Sequence, residues 1–373
     1  MITFDPQPIT PEWLARLRQL TRPEDLLTFF TRVAKTPGPS QTVSYSRGRA
    51  IQEAVVGFLG PESDRFLDRN LAGTGNVALR FAPTPRVVFV AHADEISYLV
   101  GSTGILPACP DDERGIPLVP FCNHNAQQDW PGSAWRYLPS EGRLAQVARG
   151  TIRSRELAGV WRAWFVAEEG QVTPGDRVVY ETPTHWDPNG LLRGKVDNAF
   201  GVAALLAAAR ALVHTGERPP VWFLFSDEEE GPPQTAASFS RAMRRLVHSL
   251  PLPPETLFVE VDGHEVPHEQ TPGPGAFFGE AAKLAQGVVT PPDLYTPFRD
   301  FAAGLAAQGV AIQENRGYIS RSDSVAIMER YRHVLLCGYQ VRDTHYRHGW
   351  PTASMDGLVG LAQSLACIAL AVR

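Results

Sequence analysis

Cysteine is scarce in this sequence, and the few that occur lie far apart. Cys109, Cys122, Cys337 and Cys367 form no CxxC pair within 373 residues, which argues against a disulfide framework and against a thiolate zinc site. A charge excess of one sign is also lacking, because 35 basic and 40 acidic side chains leave a formal net charge of −5. We therefore expect no sequence-independent binding to a nucleic-acid backbone.

Long hydrophobic runs are missing as well. The longest, such as residues 201–212 with Arg210 inside, are shorter than the roughly 20 apolar residues that cross a bilayer. The opening residues, MITFDPQPITPEW, have neither the basic nor the apolar stretch of a secretory signal. We therefore expect a cytoplasmic protein with no membrane span.

Hydrophobic periodicity divides the chain into two kinds of region. Apolar residues recur at helical spacing over residues 11–60, and the run RVVFVAHADEISYLV is typical of a buried central strand. Residues 101–192 contain only short strand-like pieces between Pro and Gly turns, whereas strands and long helices alternate afterwards. The later helices are expected over residues 198–213, about 235–250, 293–308 and 354–372. This predicts an α/β fold: a doubly wound, mostly parallel sheet flanked by helices, formed by residues 1–100 and 193–373, with a small barrel-like β domain inserted at 101–192.

Histidine and carboxylate side chains stand where the predicted strands of this sheet end. Because the carboxyl ends of parallel strands meet at one edge, we expect these side chains to lie together. Each alone is more often a helix cap, a hydrogen-bonded histidine or a solvated charge, and only their joint position favours a metal site. Such ligands suit zinc, cobalt or manganese, and a bridging carboxylate suits two ions. The residues are His92, Asp94, Asp197, Asp227, Glu228, Glu229, Glu230, Asp262 and His345.

The spacing within each motif has a physical reason. His92 and Asp94 are two apart on a strand and face the same side, so Asp94 can accept the second ring N–H of the histidine. Asp197 stands at a predicted helix start, where a carboxylate can cap the helix or bridge two cations. Adjacent carboxylates in DEEEG point in different directions, so one can bind metal while its neighbour acts as a general base.

At these residues the sequence resembles the M42 family of metallo-aminopeptidases, within the wider group of co-catalytic zinc exopeptidases. The matching pieces follow in family order from about residue 47 to the C-terminus. They are AHADEISYLV, VTPGDRVVY, RGKVDNAFGVAALL, WFLFSDEEEG, FVEVDGHE, SRSDS and YQVRDTH. The long segment between His92 and Asp197 is similar to the family's inserted β domain, which implies a role in dimerisation or substrate access.

The resemblance implies a ligand set and a reaction. His92 and Asp262 are expected to hold one divalent ion, Glu229 and His345 the other, and Asp197 both, with zinc expected and cobalt or manganese as alternatives. Glu228 is expected to be the general base in the hydrolysis of the first peptide bond of short peptides, and Asp94 to orient His92. The family also implies a homo-oligomer.

Several alternatives remain open at this stage. In a one-residue shift Glu229 is the base and Glu230 the ligand, although Gly231 supports the unshifted register. His348 can replace His345, although Arg342 stands three residues before His345 as in the family. An M20-like deacylase or carboxypeptidase is a second enzyme hypothesis, disfavoured because the β segment precedes Asp197, and a non-catalytic peptide-binding homologue is the third.

Four further residues near the motifs are expected to have other roles. Asp323 and Arg321 in SRSDS could line the pocket, but a helix N-cap explains Asp323 at least as well. His264 and His268 are expected at the surface.

Overall fold

A computed structural model describes residues 2–101, 106–121, 126–231, 240–279, 281–282, 287–315, 319–320 and 322–373. The helices are Pro11–Leu20 (α1), Pro23–Lys35 (α2), Arg47–Leu59 (α3), Ser63–Phe66 (α4), Val196–Thr215 (α5), Arg241–Ser249 (α6), Pro292–Ala307 (α7), Ser324–Ile327 (α8) and Met355–Ala371 (α9). The strands that precede α5 are Leu67–Asp68 (β1), Val77–Arg80 (β2), Val87–His92 (β3), Ser97–Val100 (β4), Ile116–Pro120 (β5), Trp130–Leu138 (β6), Arg143–Leu157 (β7), Val160–Gly170 (β8), Arg177–Tyr180 (β9), His185–Trp186 (β10) and Leu191–Arg193 (β11). Those that follow it are Val221–Ser226 (β12), Leu257–Glu260 (β13), Gly263–Glu265 (β14), Ala276–Gly279 (β15), Ala281–Ala282 (β16), Gly287–Val288 (β17), Ile312–Glu314 (β18), Ile319–Ser320 (β19), Val334–Arg342 (β20) and Thr352–Ser354 (β21).

A large sheet forms the centre of the main domain. Its strands follow the order β1-β2-β12-β3-β13-β20-β21-β11-β10. Strands β14 and β15 also pair with β20, and β18 pairs with β15. The central strand β3 is parallel to β12 and β13, and β13 is parallel to β20. Antiparallel pairs occur further out, between β2 and β12 and between β20 and β21. The predicted α/β fold with a mostly parallel sheet flanked by helices is confirmed.

The central strands are buried on both faces, which explains their continuous apolar sequences. Every residue of β3 and β12 is buried. Successive side chains alternate between two cores: Phe89 and Phe223 pack on the α5 and α9 side, whereas Val88 and Leu224 pack on the α6 side. Both faces of the central strands therefore contribute to the core up to their carboxyl ends.

Helix α5 is longer and more apolar than a surface helix. By length and composition its 20 residues could cross a membrane, and 83% of the most apolar window is buried inside the protein. It packs against α2, α9 and β3. The helix is therefore the central helix of the main core, and its burial accounts for its hydropathy.

The predicted inserted domain is a closed barrel of the strands β4-β5-β8-β7-β6-β9. The barrel extends from Ser97 to Tyr180. It therefore begins slightly before the predicted range of 101–192 and ends before that range does. The difference arises because β11 pairs with β21 and thereby returns the chain to the large sheet before residue 193. The barrel strands precede α5 in the chain.

The predicted helices after the barrel agree with the structure to within a few residues. The helix expected over 293–308 is α7, and the final helix expected over 354–372 is α9. The helix expected from about 235 to 250 is described from Arg241, and residues 235–239 lie outside the described residues.

Candidate metal centre

The carboxyl edge of the central strands carries the candidate ligands. His92 is the last residue of β3, and Ser226, the last residue of β12, pairs with it in register. The glutamate turn, defined as residues 227–230, therefore starts level with His92. Asp262 follows β13 by two residues and His345 follows β20 by three. Parallel pairing of these strands brings four separate parts of the chain to one place.

Asp197 lies between two histidines. Its Oδ1 is 3.0 Å from His92 Nε2, and its Oδ2 is 3.8 Å from His345 Nε2. Two oxygens of one carboxylate thus face two different imidazoles. This arrangement is typical of a carboxylate that bridges two cations.

Among the described residues, three overlapping groups of side chains could each hold a cation, because their ligand atoms lie within 4.8 Å of one another. Asp262 completes one of them with its Oδ1 3.7 Å from His92 Nε2. The groups are His92 with Asp197 and Asp262, Asp197 with Glu230 and His345, and His92 with Glu229 and Glu230.

The four acidic residues of the glutamate turn have different surroundings. Glu229 Oε2 is 4.0 Å from His92 Nε2, and Glu230 belongs to two of the three groups. Glu228 belongs to none and instead pairs with Arg241 at 2.8 Å and with Arg245. Its positive φ of 59° turns the backbone here, so that Glu228 and its successors point to opposite sides. The structure thus places Glu229 and Glu230 at the metal centre and Glu228 beside it.

Asp94 holds the glutamate turn in place. Its Oδ1 and Oδ2 accept the backbone N–H groups of Glu229 and Glu230 at 3.2 and 3.1 Å, and Ser40 Oγ donates to Oδ2 as well. Its contact with His92 is longer, 3.5 Å from Oδ1 to Nδ1, and the Asp94 backbone oxygen is nearer at 3.3 Å. The sequence motif indicated the histidine contact but gave no sign of Ser40 or of the support to the turn.

The electrostatics of the centre favour a bound cation. Burial raises the pKa of Glu229 and Glu230 well above the usual value, and neighbouring carboxylates raise it further. Burial lowers the pKa of His92, but Glu229, Asp197 and Asp262 outweigh it and raise that pKa well above 6.5. Glu230 Oε1 is buried with no hydrogen-bond partner among the described residues. A donor set of imidazoles and surplus carboxylates fits divalent ions.

A buried ion network supports the two ends of the site. Glu95 lies between Arg47 Nη2 at 3.2 Å and Lys195 Nζ at 2.8 Å. Arg47 also donates to the backbone oxygens of Ala93 and Asp94. The network therefore ties the segment after His92 to the segment before Asp197, although 105 residues separate those two ligands.

Replacing Arg47 by Met is expected to lower the free energy of unfolding by about 3–5 kcal/mol, because Glu95 keeps its buried charge with one partner fewer. Urea denaturation of the purified protein measures this. The exposed Arg32 on α2 provides the control, and Arg32→Met is expected to change the value by less than about 0.5 kcal/mol. Equal effects of the two substitutions would contradict this interpretation of the network.

Two histidines expected at the surface, and His348 as the alternative to His345, differ in their surroundings. His264, expected at the surface, is only 3% exposed, so that expectation was wrong: strand β14 carries it inward beside β20. His268 is half-exposed and pairs with Asp343 at 2.8 Å. His348 packs near His268, away from the three ligand groups.

Asp323 is a buried neighbour of the centre. It occupies the N-cap position of α8, but its side chain makes no capping hydrogen bond and instead accepts one from Ser226 Oγ. Burial raises its pKa to about 6. The pocket role considered for Arg321 falls outside the described residues.

Comparison with known protein families matches just under half of the chain. Residues 170–350 match peptidase family M28, a segment that includes every candidate ligand except His92. Comparison with curated protein sequences gives no match.

The similarity to solved structures extends over nearly the whole chain. The TET1 peptidase of Pyrococcus horikoshii has a TM-score of 0.65 at 17% identity, with 92% of this chain and 99% of that chain covered. A TET aminopeptidase from the marine sediment archaeon Thaumarchaeota archaeon SCGC AB-539-E09 has a TM-score of 0.68 at 15% identity, with 94% and 96% covered. An aminopeptidase from Desulfurococcus kamchatkensis has 0.64 at 16%, with the same coverage. These likenesses show that the chain shares the fold of those proteins.

Proposed function

We propose that this chain is a metal-dependent aminopeptidase that removes the N-terminal residue of short peptides with the help of two divalent ions. The observation that carries the proposal is the position of Asp197, whose two carboxylate oxygens face His92 and His345 at 3.0 and 3.8 Å. The similar solved structures named as aminopeptidases support the same activity.

The proposed ligand sets share Asp197. His92 and Asp262 complete the first set, and Glu230 and His345 complete the second. When bound, such ions would polarise a carbonyl oxygen and lower the pKa of a water molecule bound to them towards neutral pH. This assignment adopts the shifted register, in which Glu230 takes the ligand role first expected of Glu229.

Glu229 is the proposed general base. It lies within 4.0 Å of His92 Nε2 and is buried beside both ligand sets, whereas the Glu228 carboxylate is neutralised by Arg241 and Arg245. Burial raises the pKa of Glu229 towards the range in which a carboxylate accepts and returns a proton efficiently. Asp94, which holds the backbone of Glu229, fixes the direction of this base.

Two further features support an aminopeptidase and its assembly. The barrel stands before Asp197, as expected for the M42 group, whereas the M20 group carries its extra domain after the glutamate pair. The Pyrococcus horikoshii TET1 peptidase can assemble into a tetrahedron or a large octahedral shell. We therefore propose that this chain also forms a homo-oligomer. The proposed ions are zinc, cobalt or manganese, and the proposed location is the cytoplasm.

A panel of aminoacyl p-nitroanilides and their N-acetylated counterparts tests the function. We expect turnover of the free-amine substrates, a loss of at least about 100-fold after dialysis against a chelator, and recovery when zinc, cobalt or manganese is returned. Metal analysis before and after dialysis provides the control. Turnover of the acetylated set alone would move the protein to the deacylases, and bound metal without any turnover would favour a peptide-binding homologue.

A further inference from the structure

The segment that carries His345 connects two strands of the large sheet. We define the histidine loop as residues 343–351, which lie between β20 and β21. These strands pair antiparallel with Arg342 opposite Thr352, so the loop leaves the sheet and returns to it at one place. The course of the loop between those two residues therefore depends on contacts outside the sheet.

Aromatic side chains of the histidine loop pack into the core of the barrel. Tyr346 is 4% exposed and belongs to the same hydrophobic cluster as Trp130 on β6 and Tyr180 on β9. Its ring stacks on that of Tyr180 with 3.9 Å between the ring centroids, and the Trp130 ring meets it edge to face at 5.8 Å. Trp350 packs against Trp130 at 4.4 Å. The loop is thus anchored in the barrel by two of its own side chains.

Hydrogen bonds also hold the backbone of the loop against the barrel and its flanking residues. Trp130 Nε1 donates to the backbone oxygen of Tyr346 at 3.0 Å, and the Tyr346 hydroxyl lies 2.7 Å from Thr182 Oγ1. The backbone N–H of Gln127 donates to the backbone oxygen of Arg347 at 3.2 Å. Tyr346 has a φ of 59°, which is unfavourable for a bulky side chain, so these contacts stabilise a conformation that the loop would otherwise rarely adopt.

The same loop adjoins the metal centre. His345 directly precedes Tyr346, and its Nε2 is 3.8 Å from Asp197 Oδ2. Thr344 and Tyr346, the residues on either side of this ligand, line a small cavity together with Lys195 and Asp197. A shift of the Tyr346 backbone would therefore move His345 relative to Asp197.

We infer that the barrel positions one ligand of the second ion, with Tyr346 and Trp130 as the positioning residues, an inference that rests on the ligand sets of the proposed function. His92 is placed by the end of a central strand, whereas His345 is placed by a loop that is anchored in the barrel. The affinity for the ion that His345 binds therefore depends on the contact between the barrel and the loop. The affinity for the ion of His92 and Asp262 does not.

Two conservative substitutions test this role. Trp130→Phe keeps an aromatic ring but removes the hydrogen bond to the Tyr346 backbone, and Tyr346→Phe removes only the hydrogen bond to Thr182. Calorimetric titration of the chelator-treated protein with cobalt alone gives a dissociation constant for each ion. In both variants we expect one constant to rise by about 5-fold or more and the other to stay within about 2-fold of the wild-type value.

Two further variants provide the controls. Trp135→Phe removes an indole hydrogen bond from the same strand, but its acceptor, Ser133 Oγ at 2.9 Å, belongs to the barrel itself, so both constants should stay within about 2-fold. His345→Ala should bind a single ion, and adding Trp130→Phe to it should change the affinity for that ion by less than about 2-fold. This lack of a further effect assigns the weakened site to His345.

Three results would overturn the inference: wild-type constants in both Trp130→Phe and Tyr346→Phe, an equal rise of both constants, or the same effect in Trp135→Phe. Failure of the proposed function gives a different result. The wild-type protein would then bind fewer than two ions, which would overturn the inference together with the function.

Discussion

Replacing Glu229 by Gln is expected to lower kcat by about 10²–10⁴-fold while both ions stay bound. The amide keeps the volume of the side chain and its place in the turn but cannot accept a proton, so only the chemical step is lost. The reason for choosing this residue is its position, 4.0 Å from His92 Nε2 and outside the two sets of ligands that share Asp197. Steady-state kinetics on an aminoacyl anilide, together with metal analysis, measures the effect.

The neighbouring glutamates provide matched controls within the same turn. Glu228→Gln should change kcat by less than about 10-fold, because Glu228 faces Arg241 and Arg245, whereas Glu230→Gln should reduce the metal content as well as the rate. If Glu228→Gln instead silences the enzyme with full metal content and Glu229→Gln loses metal, the unshifted register inferred from Gly231 is correct.

Replacing Asp197 by Asn is expected to have the second of the two largest effects. One oxygen and one negative charge disappear from a group that faces both His92 and His345, so we expect the metal content to fall from two ions per chain to one or none. Loss of this charge stabilisation corresponds to several kcal/mol, or at least about 10³-fold in kcat/KM. Plasma emission spectroscopy of the gel-filtered protein gives the metal content directly.

A distant aspartate serves as the control for that experiment. Asp300 on α7 is 72% exposed, and Asp300→Asn should leave both metal content and rate unchanged. Retention of two tightly bound ions by the Asp197→Asn protein would exclude a bridging role for this carboxylate.

The sequence predicted the parts of the fold that depend on local pattern. Buried parallel strands such as VWFLFS need apolar side chains on both faces. The first charged residue after such a run in the sequence therefore marks where the strand ends. For this reason the sequence alone predicts that His92, Asp262 and His345 lie at one edge of the sheet. The barrel was predictable from short alternating strands between turns.

The register of the glutamate turn could not be predicted in the same way. A sequence pattern cannot tell which of four consecutive acidic residues binds a metal. In the structure they differ because Glu228 has a positive φ and pairs with two arginines on α6. Support from Ser40 and Arg47 was missed for a related reason. Their partners Asp94 and Glu95 are about 50 residues away in sequence, and no local period links them.

The closed barrel between β3 and α5 has a consequence for how the molecule is made. His92 is synthesised before the barrel and Asp197 after it, so a nascent chain reaches its shared ligand only when the whole six-stranded unit has left the ribosome. Domains generally fold as units during synthesis. Closure of the barrel brings together the segments on either side of it, so a shorter loop has to close when His92 meets Asp197. The candidate metal centre is therefore expected to form late in folding, after the barrel has closed.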